Sequence, residues 1–145
     1  MTAPNTRLDQ LIAHYALSHQ HPANEAIHCV AVPVIMLTLL GLLYAIHPFV
    51  FALFLAASFV YYARLSLKVL VLMVIWSALL TALIVLMGDL RILICITLFI
   101  LAWIAQFVGH KIEGRKPSFF EDLQYLWVGP LFVARVVMAR YGKFF

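Results

Sequence analysis

Residues 67–87 read LKVLVLMVIWSALLTALIVLM, with Lys68 as the only charge in the run. About 20 predominantly apolar residues are needed to cross a hydrocarbon core, and this stretch meets that length by itself. Three more stretches flank it: Ile27–Ile46, Pro48–Ala63 and Ile92–Gly109. The Pro48–Ala63 stretch is short, and its Tyr61-Tyr62 pair suits an aromatic anchor at the membrane interface. The links between the four are brief: His47-Pro48, Arg64 to Lys68, and Gly88 to Arg91. Short links force antiparallel neighbours, so the expected fold is an all-α integral membrane protein, a four-transmembrane-helix bundle forming one domain over residues 1–145.

Composition agrees. Of the 145 residues, 66% are hydrophobic and 11% charged, and mean hydropathy is +1.03. A soluble domain is about half apolar and about a quarter charged. A soluble enzyme, a disordered tail and a disulfide-stapled secreted domain are therefore excluded. The formal charge of +4 offers no soluble basic face to a nucleic acid, so the cations read as membrane-surface anchors. Cys29 and Cys95 both lie in apolar stretches and read as reduced, buried thiols.

With four spans, both termini and the central link share one side. That side carries Arg7, Arg64, Lys68, Lys111, Arg115 and Lys116, whereas the other holds Arg91 beside Asp89. The positive-inside rule places both termini in the cytoplasm. The first 26 residues are polar and amphipathic and do not read as a cleavable signal peptide, which suits a bacterial inner membrane or an endoplasmic reticulum. Within residues 7–19, Leu8, Leu11, Ile12 and Tyr15 recur at helical spacing, the pattern of an interfacial amphipathic helix. A final apolar segment, residues 119–141, is interrupted by Gly129-Pro130 and carries Arg135 and Arg140. It reads as an interfacial or re-entrant helix.

The chemistry concentrates at one end of the expected bundle. Of six histidines, His14, His19, His21 and His28 surround the start of the first span and His110 ends the fourth, all on the expected cytoplasmic side. His47 falls on the opposite side. Pro22 suits a first helical turn, so Asn24 and His28 stack four residues apart on one face. Gln106 and His110 repeat that spacing, with Glu113 three further on. Heptad spacing would align His14, His21 and His28, but Pro22 breaks that helix. His19, in the turn before Pro22, can fold back toward His28. Imidazole and carboxylate together suit zinc, iron or manganese. Against this, interfacial histidines are often only amphipathic anchors, and Asn and Gln in spans often bond neighbouring helices. These residues alone support a helical bundle with a polar cluster on its cytoplasmic side. A non-enzymatic transporter or assembly protein, a b-type haem site and a zinc site all stay open.

Two stretches carry a resemblance: HQHPANEAIH over residues 19–28 with Pro33 after it, and WIAQFVGH over 103–110 followed by Glu113, Arg115, Lys116 and Pro117. They resemble a family of small multispan proteins whose fungal endoplasmic-reticulum member is an iron-dependent 2-hydroxy fatty acid dioxygenase of α-oxidation. The likeness extends from the amphipathic start to Pro130, with Ala31 a departure where many relatives have glycine. It implies conversion of a 2-hydroxy fatty acid and O₂ to the acid one carbon shorter plus CO₂. Carried over residue by residue, it implies that His19, His28 and His110 hold Fe²⁺, with His14 and Glu113 as further candidate ligands and Glu113 a catalytic candidate. Asn24 and Gln106 match accompanying polar positions and are candidates for substrate contacts. Arg115 and Lys116 are placed to attract the substrate carboxylate.

Overall fold

A computed structural model describes residues 6–114 and 125–139. It is helical throughout, with no strand among the described residues: α1 (Arg7–Ala16), α2 (Pro22–Ile46), α3 (Pro48–Leu65), α4 (Leu67–Leu86), a 3₁₀ turn (Gly88–Leu90), α5 (Arg91–Glu113) and α6 (Gly129–Ala139). Helices α2 and α5, with α3 and α4, are long and apolar enough to cross a membrane.

The starts of these helices are written locally. Thr6 caps α1: its hydroxyl accepts from the Asp9 N–H at 3.1 Å and donates to the Asp9 carboxylate at 2.7 Å. Two His-Pro pairs open α2 and α3 in the same way. His21 Nδ1 accepts from the Ala23 N–H at 3.2 Å, and His47 Nδ1 from the Phe49 N–H at 3.1 Å. In each case the proline takes the first helical position, where its missing N–H costs nothing. Ser66 ends α3 and caps α4, so one residue reverses the chain between them.

The chain packs as two compact units. One is Val34–Ala102; the other comprises the described residues up to Pro33 and those from Trp103 onward. Both α2 and α5 contribute to each. In the Val34–Ala102 unit, α3 packs on α4, and polar side chains spend their hydrogen bonds on their own helices. Ser58 donates to the Phe54 carbonyl at 2.8 Å, Thr81 to that of Ser77 at 2.7 Å, and Thr38 to that of Ile35 at 3.0 Å. Such self-satisfaction is what a water-free surrounding requires. Arg91 donates through Nε to the Ile84 carbonyl at 2.9 Å and lays its guanidinium 4.8 Å from the Tyr44 ring centre.

In the second unit, α1 buries Leu8, Ile12 and Tyr15 and packs on α6, which buries Leu131, Phe132 and Val133. Arg135 reaches Asp9 at 2.8 Å; the Thr6 hydroxyl first, and then Arg135, hold the Asp9 carboxyl below its usual range. Gly129-Pro130 opens α6; in the sequence it read as an interruption. The 11 residues of α6 rise about 16 Å, roughly half a hydrocarbon core.

Gly41 marks a close approach of α2 to α5 in the Val34–Ala102 unit, because a Cβ there would land on Cys95 Sγ. Gly41→Ala should destabilise the protein by about 1–3 kcal/mol. Adding Cys95→Ala, which removes the sulfur, should recover most of that loss in thermal unfolding of the detergent-solubilised protein. A double variant no better than the single one would contradict this contact.

Candidate metal centre

Three of the six histidines meet in the unit formed by the described residues up to Pro33 and from Trp103 onward. His28 lies in α2 and His110 in the last turn of α5, whereas His19 sits in the link between α1 and α2. All three are buried, His28 completely. Ring centres are 4.2 Å apart for His19–His28, 5.0 Å for His28–His110 and 5.3 Å for His19–His110. One ring nitrogen from each lies within 4.8 Å of the other two. Three buried imidazoles this close together could hold a metal ion between them.

Two of the rings are pre-set for that role. His19 Nδ1 lies 2.8 Å from the Tyr15 carbonyl oxygen, and His28 Nδ1 lies 3.0 Å from that of Asn24. A carbonyl oxygen only accepts, so each Nδ1 carries the proton and donates. The lone pair is then on Nε2, the tautomer a metal requires. Tyr15 also stacks its ring on His19, centres 4.2 Å apart and planes at 12°, and Phe132 of α6 packs against both rings. The α1–α6 pair therefore fixes the one member of the triad that lies outside a helix.

Glu113 stands outside the triad and holds its frame. Its Oε1 accepts from the Gln20 N–H at 3.0 Å; its Oε2 accepts from the His21 N–H at 2.8 Å and from Asn24 Nδ2 at 3.1 Å. Three donors thus occupy both oxygens, at the start of α2 where the helix dipole favours an anion. This geometry fits positioning of the His19 link better than a fourth ligand. Asn24 is fully buried, and its Nδ2 also donates to the Ser18 carbonyl at 3.2 Å. Both N–H donors of that amide are spent on the scaffold. Asn24 Oδ1 lies against Gly109, where a Cβ would collide with it, so α2 and α5 approach this closely only because residue 109 has no side chain.

The remaining candidates are placed as follows. Gln106 is buried one turn before His110, and its Oε1 has no hydrogen-bond partner among the described residues. His14 is exposed on α1 and is hydrogen-bonded to the Tyr125 hydroxyl, away from the triad. His21 and His47 are the helix caps described above. Arg115 and Lys116 lie outside the described residues. Sequence reasoning missed Tyr15 and Gly109 as parts of the site. Tyr15 stands four residues before His19, and Gly109 immediately precedes His110, but neither spacing separates a supporting residue from ordinary packing.

A helical chain with four candidate spans and a buried tri-histidine cluster can now be set beside known proteins. A family described as 2-hydroxy-palmitic acid dioxygenase Mpo1-like matches residues 6–141. The chain belongs to this Mpo1-like family. No curated protein and no solved structure matches it. The triad lies within the matched range, and three buried imidazoles are a donor set that several transition metals accept.

The Glu113 contacts give a direct test. Glu113→Ala should weaken metal binding by about 10–100-fold, the usual effect of removing a group that orients ligands. Glu113→Gln, which keeps one carbonyl acceptor, should lose less. Competition titration against a chelator, with circular dichroism showing unchanged helix content, reads both. Equal affinity in all three proteins would remove Glu113 from the site.

Proposed function

We propose that this chain is an Fe²⁺-dependent dioxygenase that converts a 2-hydroxy fatty acid and O₂ to the fatty acid one carbon shorter, CO₂ and water. The observation that carries this reading is the buried triad of His19, His28 and His110, with ring nitrogens within 4.8 Å of one another, in a member of a dioxygenase family. Electron counting supports it. Oxidising a 2-hydroxy acid to the shortened acid and CO₂ removes four electrons, and reducing O₂ to water consumes four. No external reductant is needed, so the reaction asks for no redox cofactor besides the metal. The same count favours iron over zinc, which the histidines would also accept but which has no redox chemistry.

His19, His28 and His110 would hold the metal through their inward nitrogens. When bound, iron supplies the one-electron chemistry through which O₂ reacts with the hydroxy acid. The protein's own residues do the rest. Tyr15 and Asn24, through their carbonyls, keep two imidazoles in the ligating tautomer. Glu113 and Asn24 hold the His19 link against α2. Gln106 Oε1, a buried acceptor, would take a hydrogen bond from the substrate's 2-hydroxyl and so favour 2-hydroxy acids over plain ones. Arg115 and Lys116 would attract the carboxylate at the membrane surface. The acyl chain would lie among the apolar helices or against lipid. We place both termini, and with them the metal site, on the cytoplasmic side of a bacterial inner membrane or an endoplasmic reticulum.

Purified, detergent-solubilised protein with 2-hydroxyhexadecanoic acid, Fe²⁺ and air should yield the fifteen-carbon acid by mass spectrometry, and a matched reaction with chelator should not. Product formed equally under chelation, or none with iron bound and helix content intact, would overturn the assigned reaction.

A further inference from the structure

The phenols of Tyr15 and Tyr125 and the His14 imidazole take no chemical step in the reaction proposed above, yet these rings form a continuous line from the triad to the surface. The Tyr15 ring stacks on His19 with centres 4.2 Å apart and planes at 12°. The Tyr125 ring meets Tyr15 edge-on at 5.5 Å and 69°. The Tyr125 hydroxyl and His14 Nδ1 share a hydrogen bond at 2.5 Å, and the His14 ring stacks beside it at 5.7 Å. His14 is exposed. A hydrogen bond in contact with water adds little stability, because water competes for both partners, so packing does not explain why a phenol is matched to an imidazole there.

Oxidising a phenol needs two exits, one for the electron and one for the proton, since a phenol that has lost an electron is a strong acid. Tyr125 has both: the Tyr15 ring leads to His19, and the His14 imidazole is already hydrogen-bonded to the phenol oxygen. An imidazole nitrogen with its lone pair toward the phenol is a base that can take that proton.

We propose that Tyr15, Tyr125 and His14 form an escape path for oxidising equivalents, drawing them away from the metal ligands when the centre meets peroxide without substrate. This rests on the iron reading above. In the step, hydrogen peroxide accepts two electrons and leaves as two hydroxide ions. One electron comes from the iron, which goes from ferrous to ferric, and one comes from Tyr125 by way of Tyr15. The Tyr125 proton moves to His14 Nδ1. The product is a neutral tyrosyl radical beside an imidazolium, near the surface and away from the triad.

Freeze-quench electron paramagnetic resonance of the iron-loaded, substrate-free protein mixed with hydrogen peroxide tests this. The wild type should give a tyrosyl radical. Tyr125→Phe should lose it with iron content unchanged, and peptide mass spectrometry should then find added oxygen on His19 or Tyr15. Tyr15→Phe and His14→Asn should each slow its formation. Tyr125→Phe should also match the wild type in initial turnover but complete fewer turnovers before inactivation. An iron-loaded wild type without the radical, or an undiminished signal in Tyr125→Phe, would overturn the escape path and leave the dioxygenase reading intact. A protein that binds no iron would overturn both.

Discussion

Glu113 ends α5, where its negative charge meets the unfavourable pole of its own helix. The start of α2 makes that charge useful. Two backbone N–H groups, from Gln20 and His21, and the Asn24 amide all donate to this one carboxylate. The segment before α2 is thereby held to the end of α5, and those two places carry His19 and His110. His28 follows one turn after Asn24 in α2 itself. Three imidazoles from three parts of the chain converge because a helix terminus lacking internal acceptors is matched to a carboxylate from another helix. The absent side chain at Gly109 lets the two backbones come close enough for this to work.

The division of labour between helices follows from their surroundings. In the Val34–Ala102 unit, polar side chains bond their own backbone and large apolar ones, such as Leu79, Leu83 and Leu93, stay exposed. That is the surface a bilayer would cover. The other unit gathers the chain's buried histidines, Asn24 and Gln106. Buried groups of this kind are costly unless they act on something, and a cation shared by three neutral imidazoles offsets the cost. Under the proposed function, the apolar helices would admit a water-insoluble acid and the polar centre would supply the ligands.

Much of this was legible in the sequence. The helical class and the four long apolar helices followed from runs such as residues 67–87, because a span must satisfy its backbone internally and leaves an unmistakable composition. The pairing of Asn24 with His28 and of Gln106 with His110 followed from the helical repeat, and all four are buried. Pro22, by breaking the helix, suggested that His19 folds back toward His28, and the set of His19, His28 and His110 came from the family resemblance. Less was legible where two segments distant in sequence meet. Glu113 read as a ligand or an orienting group because spacing along α5 says nothing about which N–H groups lie across from it. His21 and His47 looked like spare imidazoles, though each precedes a proline, and that pair of residues is the local signature of the cap each forms. Gly129-Pro130 read as a break in a long helix; it begins a short one, because proline is tolerated only in the first turn.

The central claim is that His19, His28 and His110 together hold a metal ion. Metal content after iron loading and desalting, measured on six single variants in which each histidine is replaced by alanine, tests it most directly. His19→Ala, His28→Ala and His110→Ala should lose the metal while keeping their helix content, and His14→Ala, His21→Ala and His47→Ala should retain it. Retention of iron by any of the first three, or its loss from His14→Ala or His47→Ala with the helices intact, would contradict the assigned ligand set.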